Sequence, residues 1–353
     1  MHKEVAYKHK RHKGESMTPK GQTSEISQSL QEADSVDIPI GISACVLGQN
    51  VRFDGGHKLD RFVRDTLGSY FRFVPICPEV EIGLSIPRES MRLVRGTEPV
   101  GEVRIIAPKS DTDHSHTMRT YATQRLQQLA TENLCGYILQ KGSPSCGMER
   151  VRIYTKPGVA PARNGLGLYA RALMTYFPNL PVEEDGRLND AGLRENFIER
   201  IFAYRRFRTL FGNPWKMGDL VAFHSREKLL VLAHDRKLYD QLGRMVATAK
   251  GRPPEDVAAE YETLFLTALR KMATRGKQTN VLQHIAGHFK KLIDSSDRQE
   301  LQEIIASYKA GHVPLVVPIT LLRHYVRRHN MEYLAQQTYL DPHPRELMLR
   351  NHG

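Results

Sequence analysis

Residues 136–147 read GYILQKGSPSCG, in which a short apolar run is followed by a turn rich in glycine, serine and proline. Such a run predicts a buried strand that ends in a loop. Residues 116–136, which come just before it, repeat apolar side chains near a helical period and predict a helix. Further strand patterns precede that helix at residues 38–48, 73–80 and 102–109. Alternating strands and helices at this spacing predict an α/β fold with a mainly parallel sheet.

Three cysteines lie at or just past the ends of predicted strands: Cys45 in SACVLG, Cys77 in CPEV and Cys146 in SPSCG. The carboxyl ends of parallel strands meet at one edge of an open α/β sheet, which is where ligands bind. We therefore expect the three thiols to lie together, with neighbouring glycines and prolines keeping bulk away from them. A fourth thiol, Cys135, lies between apolar residues, which is typical of an inert buried cysteine.

The spacing of the three thiols leaves their chemistry open. They could hold a metal or an iron–sulfur cluster, act as a nucleophile, or be separate core residues. Zinc would need a fourth ligand, which nearby His57 could supply, whereas a cubane cluster held by three cysteines would leave one iron open for substrate. Two histidine pairs are further candidate metal ligands: His114 with His116, which is more typical of a solvated loop, and His284 with His288.

Composition indicates a soluble globular protein. The chain has 353 residues, of which 40% are hydrophobic and 25% are charged, enough for two domains. No apolar run approaches the roughly 20 residues that span a membrane, and no export signal is evident, so we expect a cytoplasmic protein with reduced thiols. The net charge of +12 favours a polyanionic partner, nucleic acid above all.

Changes in pattern along the chain predict four regions. Residues 1–36 are basic and polar, and we expect a disordered basic tail. Residues 37–207 form the α/β domain, which is expected to be Rossmann-like. Residues 215–335 form an all-α domain of about five helices, and residues 336–353 form a C-terminal tail.

Residues 42–56, 74–84 and 141–147 resemble the three signature segments of the thiouracil desulfidase family, long known as domain of unknown function 523. The shared motifs are SACVLG, RFDGG, CPE and SPSCG, which are highly specific in combination. The resemblance implies that the three cysteines hold a 4Fe–4S cluster. It also implies that the open iron takes the sulfur of a thiolated pyrimidine, and that hydrolysis replaces this sulfur with oxygen without net redox change.

The same motifs imply catalytic residues. Glu79 of CPE and Ser143 of SPSCG resemble the polar pair that positions or activates water in that family. A carboxylate beside an open iron can deprotonate water, and a hydroxyl can orient it. Judged from the residues alone, Glu79 could instead be a surface carboxylate at a strand end, and Ser143 a simple turn residue. Asp54 of RFDGG is either a substrate contact or a turn former.

Residues 215–330 resemble domain of unknown function 1722, a helical domain often fused behind the desulfidase domain. The fused arrangement resembles enzymes that remove sulfur from 4-thiouridine in transfer RNA, with the helical domain proposed to hold the RNA. Basic side chains interleaved with histidine and tyrosine suit phosphates and unstacked bases, although charged helical faces are usually only solvated. The candidate RNA contacts are Arg236, Lys290, Lys291, Arg323, Arg327 and Arg328.

We therefore predict a 4Fe–4S-dependent enzyme that hydrolytically removes sulfur from 4-thiouridine in transfer RNA and releases sulfide. The alternatives are a desulfidase of free thiouracil or thionucleosides, and a non-catalytic iron–sulfur regulator that binds RNA. Glu79 and Ser143 beside the thiols favour an enzyme, because a sensor needs no groups that activate water. No membrane partner and no obligate protein partner are implied.

Overall fold

The structure is a computed structural model that describes residues 37–96, 101–155 and 159–352. Two sheets occupy the first half of the described chain. The strands are β1 (Ile38–Ser43), β2 (Phe71–Ile76), β3 (Arg92–Arg95), β4 (Val103–Ala107), β5 (Thr112–Asp113), β6 (Gly136–Leu139), β7 (Val151–Tyr154), β8 (Ala162–Gly165) and β9 (Val182–Glu184). The first sheet has the order β2–β1–β6–β9, and every neighbouring pair in it is parallel. The predicted α/β fold with a mainly parallel sheet is confirmed.

The core of this sheet follows from its sequence. All six residues of β1, IPIGIS, are buried, as are all four of β6, GYIL. Strands of a parallel sheet covered on both faces read as continuous apolar runs of this kind. The same runs that predicted the strands therefore also place β1 and β6 in the centre of the sheet.

A second, mixed sheet was not predicted. It has the order β5–β4–β3–β7–β8, with β3 antiparallel to β4 and parallel to β7. The predicted strand at residues 102–109 is β4, and it belongs to this second sheet. Its partners are strands of two to four residues, too short to give a clear periodic signal in the sequence.

Helices accompany the sheets and fill the second half of the described chain. They are α1 (Pro78–Glu81), α2 (Ser115–Leu129), α3 (Leu168–Tyr176), α4 (Ala191–Phe211), α5 (Met217–His234), α6 (Arg236–Ala247), α7 (Pro254–Leu269), α8 (Arg275–Gly287), α9 (Ser295–Ala310), α10 (Val316–Arg328) and α11 (Glu332–Ala335). None of these has both the length and the apolar composition to cross a membrane. The predicted all-α second half is confirmed.

The number of long helices differs from the prediction. Six long helices, α5 to α10, lie in the described residues after α4, where about five were expected. The additional helix arises from a break at Asp235, where the sequence pattern predicts one continuous helix. Asp235 is extended and ends α5, and its carboxylate accepts a hydrogen bond from the Leu238 N–H at 2.8 Å, which caps α6.

Helix α4 packs against both halves. Its Phe202 ring lies 5.8 Å from the ring of Phe71 in β2, and its Asn196 side chain donates to the Leu269 carbonyl of α7 at 3.0 Å. Residues 38–353 accordingly form one compact unit. The domain limit predicted at residue 207 lies inside α4, so this helix is shared by the two halves.

The carboxyl-terminal segment, predicted as a tail, is packed against the helices. Tyr339 and Arg350 are buried, and Arg350 donates to the Tyr339 carbonyl at 2.6 Å. The same guanidinium pairs with Glu199 of α4 at 3.1 Å. The tail predicted at residues 1–36 lies outside the described residues.

Candidate active site

A cavity of about 530 Å³ lies at the carboxyl edge of the parallel sheet. All four strands of that sheet end at it: Ser43 closes β1, Ile76 closes β2, Gln140 follows β6 and Asp185 follows β9. Ligands bind at this edge in open α/β sheets because the loops there can vary while the strands hold them in place. The fold thus forms a site where the sequence predicted one.

The three predicted cysteines meet in this cavity. Cys45, Cys77 and Cys146 all line it as free thiols, and the first and third are buried. Burial raises the pKa of Cys45 to about 12, with a further rise from neighbouring Cys77. Burial also raises the pKa of Cys77 and of Cys146 above the usual range, and Glu79 adds to both shifts. An electropositive group in the cavity would favour their thiolate forms.

Tight turns hold the first two cysteines in place. Cys45 lies in the turn Ala44–Leu47, which ends at Gly48 with φ of +93°, a conformation that favours glycine. The Gly48 N–H donates to the Cys45 carbonyl at 3.2 Å. Cys77 is the N-cap of α1, and its N–H donates to Glu81 Oε1 at 3.1 Å. Each thiol is thereby placed directly past the end of its strand.

The third cysteine depends on close packing of the SPSCG loop. The Ser143 hydroxyl oxygen accepts the backbone N–H of Cys146 at 3.1 Å. A Cβ on Gly147 would lie 2.4 Å from Val151 Cγ2, and a Cβ on Gly167 would lie 2.4 Å from the carbonyl oxygen of the residue before Cys146. Both positions therefore need glycine so that the loop can approach β7 and the start of α3.

Glu79 lies in the cavity within a buried network. Arg88 donates to Glu79 Oε2 through Nη2 at 2.6 Å and through Nε at 3.1 Å, and the Ser145 hydroxyl donates to Glu79 Oε1 at 2.6 Å. The Glu79 and Arg88 side chains are only 14% and 6% exposed. Arg88 is itself fixed by donating to the Val51 carbonyl at 2.9 Å. Glu79 is therefore an oriented and largely covered carboxylate that lines the same cavity as the thiols.

Ser143 and Ser145 make different contacts in the SPSCG loop. Ser143 lines the cavity, but its hydroxyl oxygen also accepts the N–H groups of Ser145, at 3.2 Å, and of Cys146. Ser145 contacts Glu79 directly and lies 2.9 Å from the Ser143 hydroxyl. Sequence reasoning missed Ser145. Its place beside Cys146 in the same motif was a usable signal.

Asp54 does not line the cavity. Its exposed carboxylate accepts the Gly56 N–H at 3.1 Å, and this bond, together with Arg52 at 3.5 Å, holds its pKa below the usual range. The turn-former alternative describes this geometry. The neighbouring side chains of Arg52 and Phe53 line the cavity in its place.

Single-ion metal sites have no support in the described residues, which contain no group of three or more His, Cys, Asp or Glu side chains placed to hold one ion. His57 lies outside the cavity lining, and its Nδ1 accepts the Leu59 N–H at 3.2 Å. The His284 and His288 rings are 5.6 Å apart but gain no third ligand there. The zinc alternative that relied on His57 is therefore unsupported.

Several charged residues of the cavity were not predicted. Arg52, Lys58 and Lys141 line it and give it cationic groups beside the thiols. Asp185, at the end of β9, accepts the N–H groups of Lys141 and Gly186, both at 2.8 Å. Burial raises the pKa of Asp185. Its position directly after a strand of the parallel sheet was the signal that could have identified it.

The candidate RNA contacts are dispersed over the helical half. Arg236 begins α6 and pairs with Asp240 at 3.2 Å. Lys290 and Lys291 are exposed and lie past the end of α8 at Gly287.

The three candidates on α10 also have different surroundings. Arg323 pairs with Asp341 at 3.1 Å and is largely covered, whereas Arg328 is exposed and pairs with Asp297 at 3.5 Å. Arg323 and Arg327 line a small cavity of their own. A role in RNA binding stays a prediction for all six residues.

The cavity, its thiols and its oriented carboxylate define an α/β protein with a cysteine-lined site at its strand ends. A model of the 2-thiouracil desulfurase family matches residues 40–185, and a model of proteins of unknown function, DUF1722, matches residues 228–344. The chain belongs to the 2-thiouracil desulfurase family and carries the DUF1722 region behind it. This confirms the predicted family and, at the level of the family, the predicted class of enzyme, one that removes sulfur from a thiolated uracil.

Individual relatives match part of the chain. The uncharacterized protein YbgA of Escherichia coli K12 is 35% identical over 160 residues, which are 45% of this chain and 95% of that protein. The uncharacterized protein YbbK of Bacillus subtilis 168 is 30% identical over 109 residues, which are 30% of this chain and 71% of that protein. A solved structure, the 4Fe–4S-dependent thiouracil desulfidase TudS, is 30% identical and covers 43% of this chain and 94% of its own, with a TM-score of 0.36.

Proposed function

We propose that this protein hydrolytically removes sulfur from 4-thiouridine in transfer RNA, in the cytoplasm, with a 4Fe–4S cluster held by Cys45, Cys77 and Cys146. The proposal depends on one observation: these thiols and the oriented carboxylate of Glu79 line the same cavity. Membership of the desulfurase family supports a thiolated uracil as the group attacked. The cofactor in the name of the solved relative agrees with the predicted cluster.

The residues present fit such a cluster. Three free thiols, with no other cysteine lining the cavity, are the donor set that soft iron–sulfur groups require. They do not converge on a single ion site. Thiols that do not converge on one point can still hold a group that contains several iron atoms. Held by Cys45, Cys77 and Cys146, such a cluster would leave one iron without a protein ligand and would supply a Lewis acid for the substrate's sulfur.

The protein's own residues supply the water chemistry. Replacing a C=S group by C=O with water releases hydrogen sulfide, so a proton must leave the attacking water and protons must reach the sulfur. Arg88 and Ser145 fix the orientation of the Glu79 carboxylate in the cavity and keep it ionised, so Glu79 is the group placed to accept the water's proton. The Ser143 hydroxyl, next to Ser145, is within the cavity to orient the water or the pyrimidine.

An RNA substrate agrees with the size and charge of the cavity. Its volume of about 530 Å³ lies within the range of pockets that enclose small ligands, so a single nucleotide turned out of its stack can enter. Arg52, Lys58 and Lys141 in the lining suit the phosphates on either side of such a nucleotide. The net charge of +12 supports a polyanion over a free base.

Anaerobic cluster reconstitution followed by incubation with transfer RNA that contains 4-thiouridine tests the proposal. We expect loss of the near-ultraviolet thiocarbonyl band together with release of sulfide. Free 4-thiouracil and 4-thiouridine, assayed in parallel, should react much more slowly. Faster reaction of the free compounds would shift the function to their desulfuration, and an unchanged band with every substrate would contradict a desulfidase altogether.

Serine substitutions should separate catalysis from cluster binding. Ser145→Ala removes a hydrogen bond to the Glu79 carboxylate, so kcat should fall roughly ten- to hundredfold with little change in iron content. Ser143→Ala leaves the N–H groups of Ser145 and Cys146 without their acceptor, so its main effect should be lower iron content. Iron assays and initial rates on both variants check this. A kcat of Ser145→Ala equal to that of the wild type would contradict the role given to its hydroxyl.

A further inference from the structure

A second cavity, of about 200 Å³, lies in the helical half between α10 and the carboxyl-terminal segment. It shares no lining residue with the thiol cavity. Its lining carries four guanidinium groups and one carboxylate: Arg323, Arg327, Arg345, Arg350 and Asp341. The excess of positive charge marks it as a site for an anion.

Part of that charge is already balanced inside the protein. Arg350 is buried and pairs with Glu199 at 3.1 Å and with Glu195 at 3.3 Å, so it supplies no excess charge to the cavity. Asp341 pairs with Arg323 at 3.1 Å and with Arg345 at 2.8 Å. These bonds hold two arginine side chains against the cavity before any ligand binds.

The remaining charge is not balanced among the residues that the structure describes. Arg323 and Arg345 share the carboxylate of Asp341, and Arg327 makes no ion pair within the part of the chain that the structure describes. Arg323 and Arg327 are four residues apart on α10 and so project from the same side of the helix. Three guanidinium groups facing one carboxylate leave an excess of two positive charges.

The rest of the lining favours a compact oxyanion. Thr320 and Asn351 add neutral hydrogen-bonding groups, and His343 also lines the cavity, with its Nδ1 donating to the Pro344 carbonyl at 3.2 Å. Val316 and Leu349 make part of the wall apolar, which strengthens charge interactions by lowering the local dielectric constant. The planar fork of arginine pairs with phosphate oxygens two at a time.

We propose that this cavity binds a phosphate group. A volume of about 200 Å³ admits a phosphate but is below the roughly 300 Å³ at which pockets for whole small ligands begin. The group could belong to the backbone or an end of an RNA, or to a small phosphorylated compound. Phosphate binding in this cavity does not depend on desulfuration and can be tested by a binding measurement alone.

Thermal unfolding of the full chain in inorganic phosphate, against chloride at equal ionic strength, is the first measurement. The matched variants are Arg327→Gln, which changes a cavity residue, and Arg328→Gln, which changes the next residue, exposed and outside the lining. Specific binding raises Tm in proportion to the logarithm of phosphate concentration. We expect this rise in the wild type and in Arg328→Gln, and in Arg327→Gln an affinity weaker by about tenfold or more.

Binding of unmodified transfer RNA at several salt concentrations then identifies the source of the phosphate. If it is RNA, Arg327→Gln should weaken binding and reduce the slope of log K against log salt by about 1, whereas Arg328→Gln should not. If it is a small compound, the two variants should bind RNA equally while only Arg327→Gln loses the response to phosphate. Phosphate also stabilises proteins non-specifically, so an equal rise of Tm in all three proteins would overturn the proposal, as would no rise in the wild type.

Discussion

Replacing Glu79 by glutamine should lower the turnover of the reconstituted enzyme by about two to four orders of magnitude, the usual contribution of a positioned general base. The amide keeps the shape of the side chain and can still accept a hydrogen bond from Arg88, but it cannot take a proton from water. Cluster content and overall fold should therefore be retained. Steady-state rates of sulfide release, normalised to iron content, measure the effect.

A matched control is available for this prediction. Glu132→Gln makes the same change at an exposed carboxylate whose only ion pair within the described residues is a 3.7 Å surface pair with Arg72. It should leave turnover unchanged. If Glu79→Gln turned over as fast as Glu132→Gln, the carboxylate would not be the base. Loss of iron in Glu79→Gln would instead make it a structural group of the cluster site.

Replacing Arg350 by methionine should lower the free energy of unfolding by about 3–5 kcal/mol, the usual cost of removing one partner from a buried ion pair. Arg350 and Glu199 are 7% and 3% exposed, so the carboxylate of Glu199 would stay buried with only the histidines His234 and His343 to offset its charge among the described residues. Chemical denaturation measures the loss. As a control, Arg252→Met removes an exposed partner of Glu260 and should cost about 1 kcal/mol or less.

The same network predicts a dependence on pH. Burial alone would raise the pKa of Glu199, but His234 and Arg350 outweigh it and lower that pKa from 4.5 to about 2. Since the folded pKa is the lower one, the stabilisation is complete above the unfolded value and is lost as pH falls from 4.5 towards 2. Without Arg350 the folded pKa should rise, and the loss of stability across this window should be smaller. An unchanged acid profile in Arg350→Met would contradict this.

The site residues that could be predicted from the sequence are those whose chemistry and local pattern point to the same place. Cys45, Cys77 and Cys146 each follow an apolar run, and parallel strands must bring such ends to one edge. The position of Glu79 beside them followed from its motif. The ion pair of Arg88 with Glu79 did not, because Arg88 reaches the carboxylate across a loop whose course no local pattern determines.

The features that were not predicted depend on residues far apart in the sequence, on very short strands, or on a helix boundary inside an apolar pattern. Glu199 and Arg350 are 151 residues apart, so nothing local to the polar segment around Arg350 indicated that it packs inside the protein. The second sheet was missed because its strands are short and carry exposed arginines such as Arg92 and Arg152. Asp235 was missed as a helix boundary because the apolar period continues through it, although aspartate is a favoured N-cap.

Hydrolysis at the thiol cavity is tested by a single anaerobic turnover in water enriched in heavy oxygen, without added oxidant or reductant. We expect one sulfide released and one heavy oxygen incorporated for each 4-thiouridine converted to uridine, and no conversion by Cys146→Ala. Sulfur loss without incorporation of heavy oxygen, or conversion by Cys146→Ala at the wild-type rate, would contradict hydrolysis at a cluster held by these three cysteines.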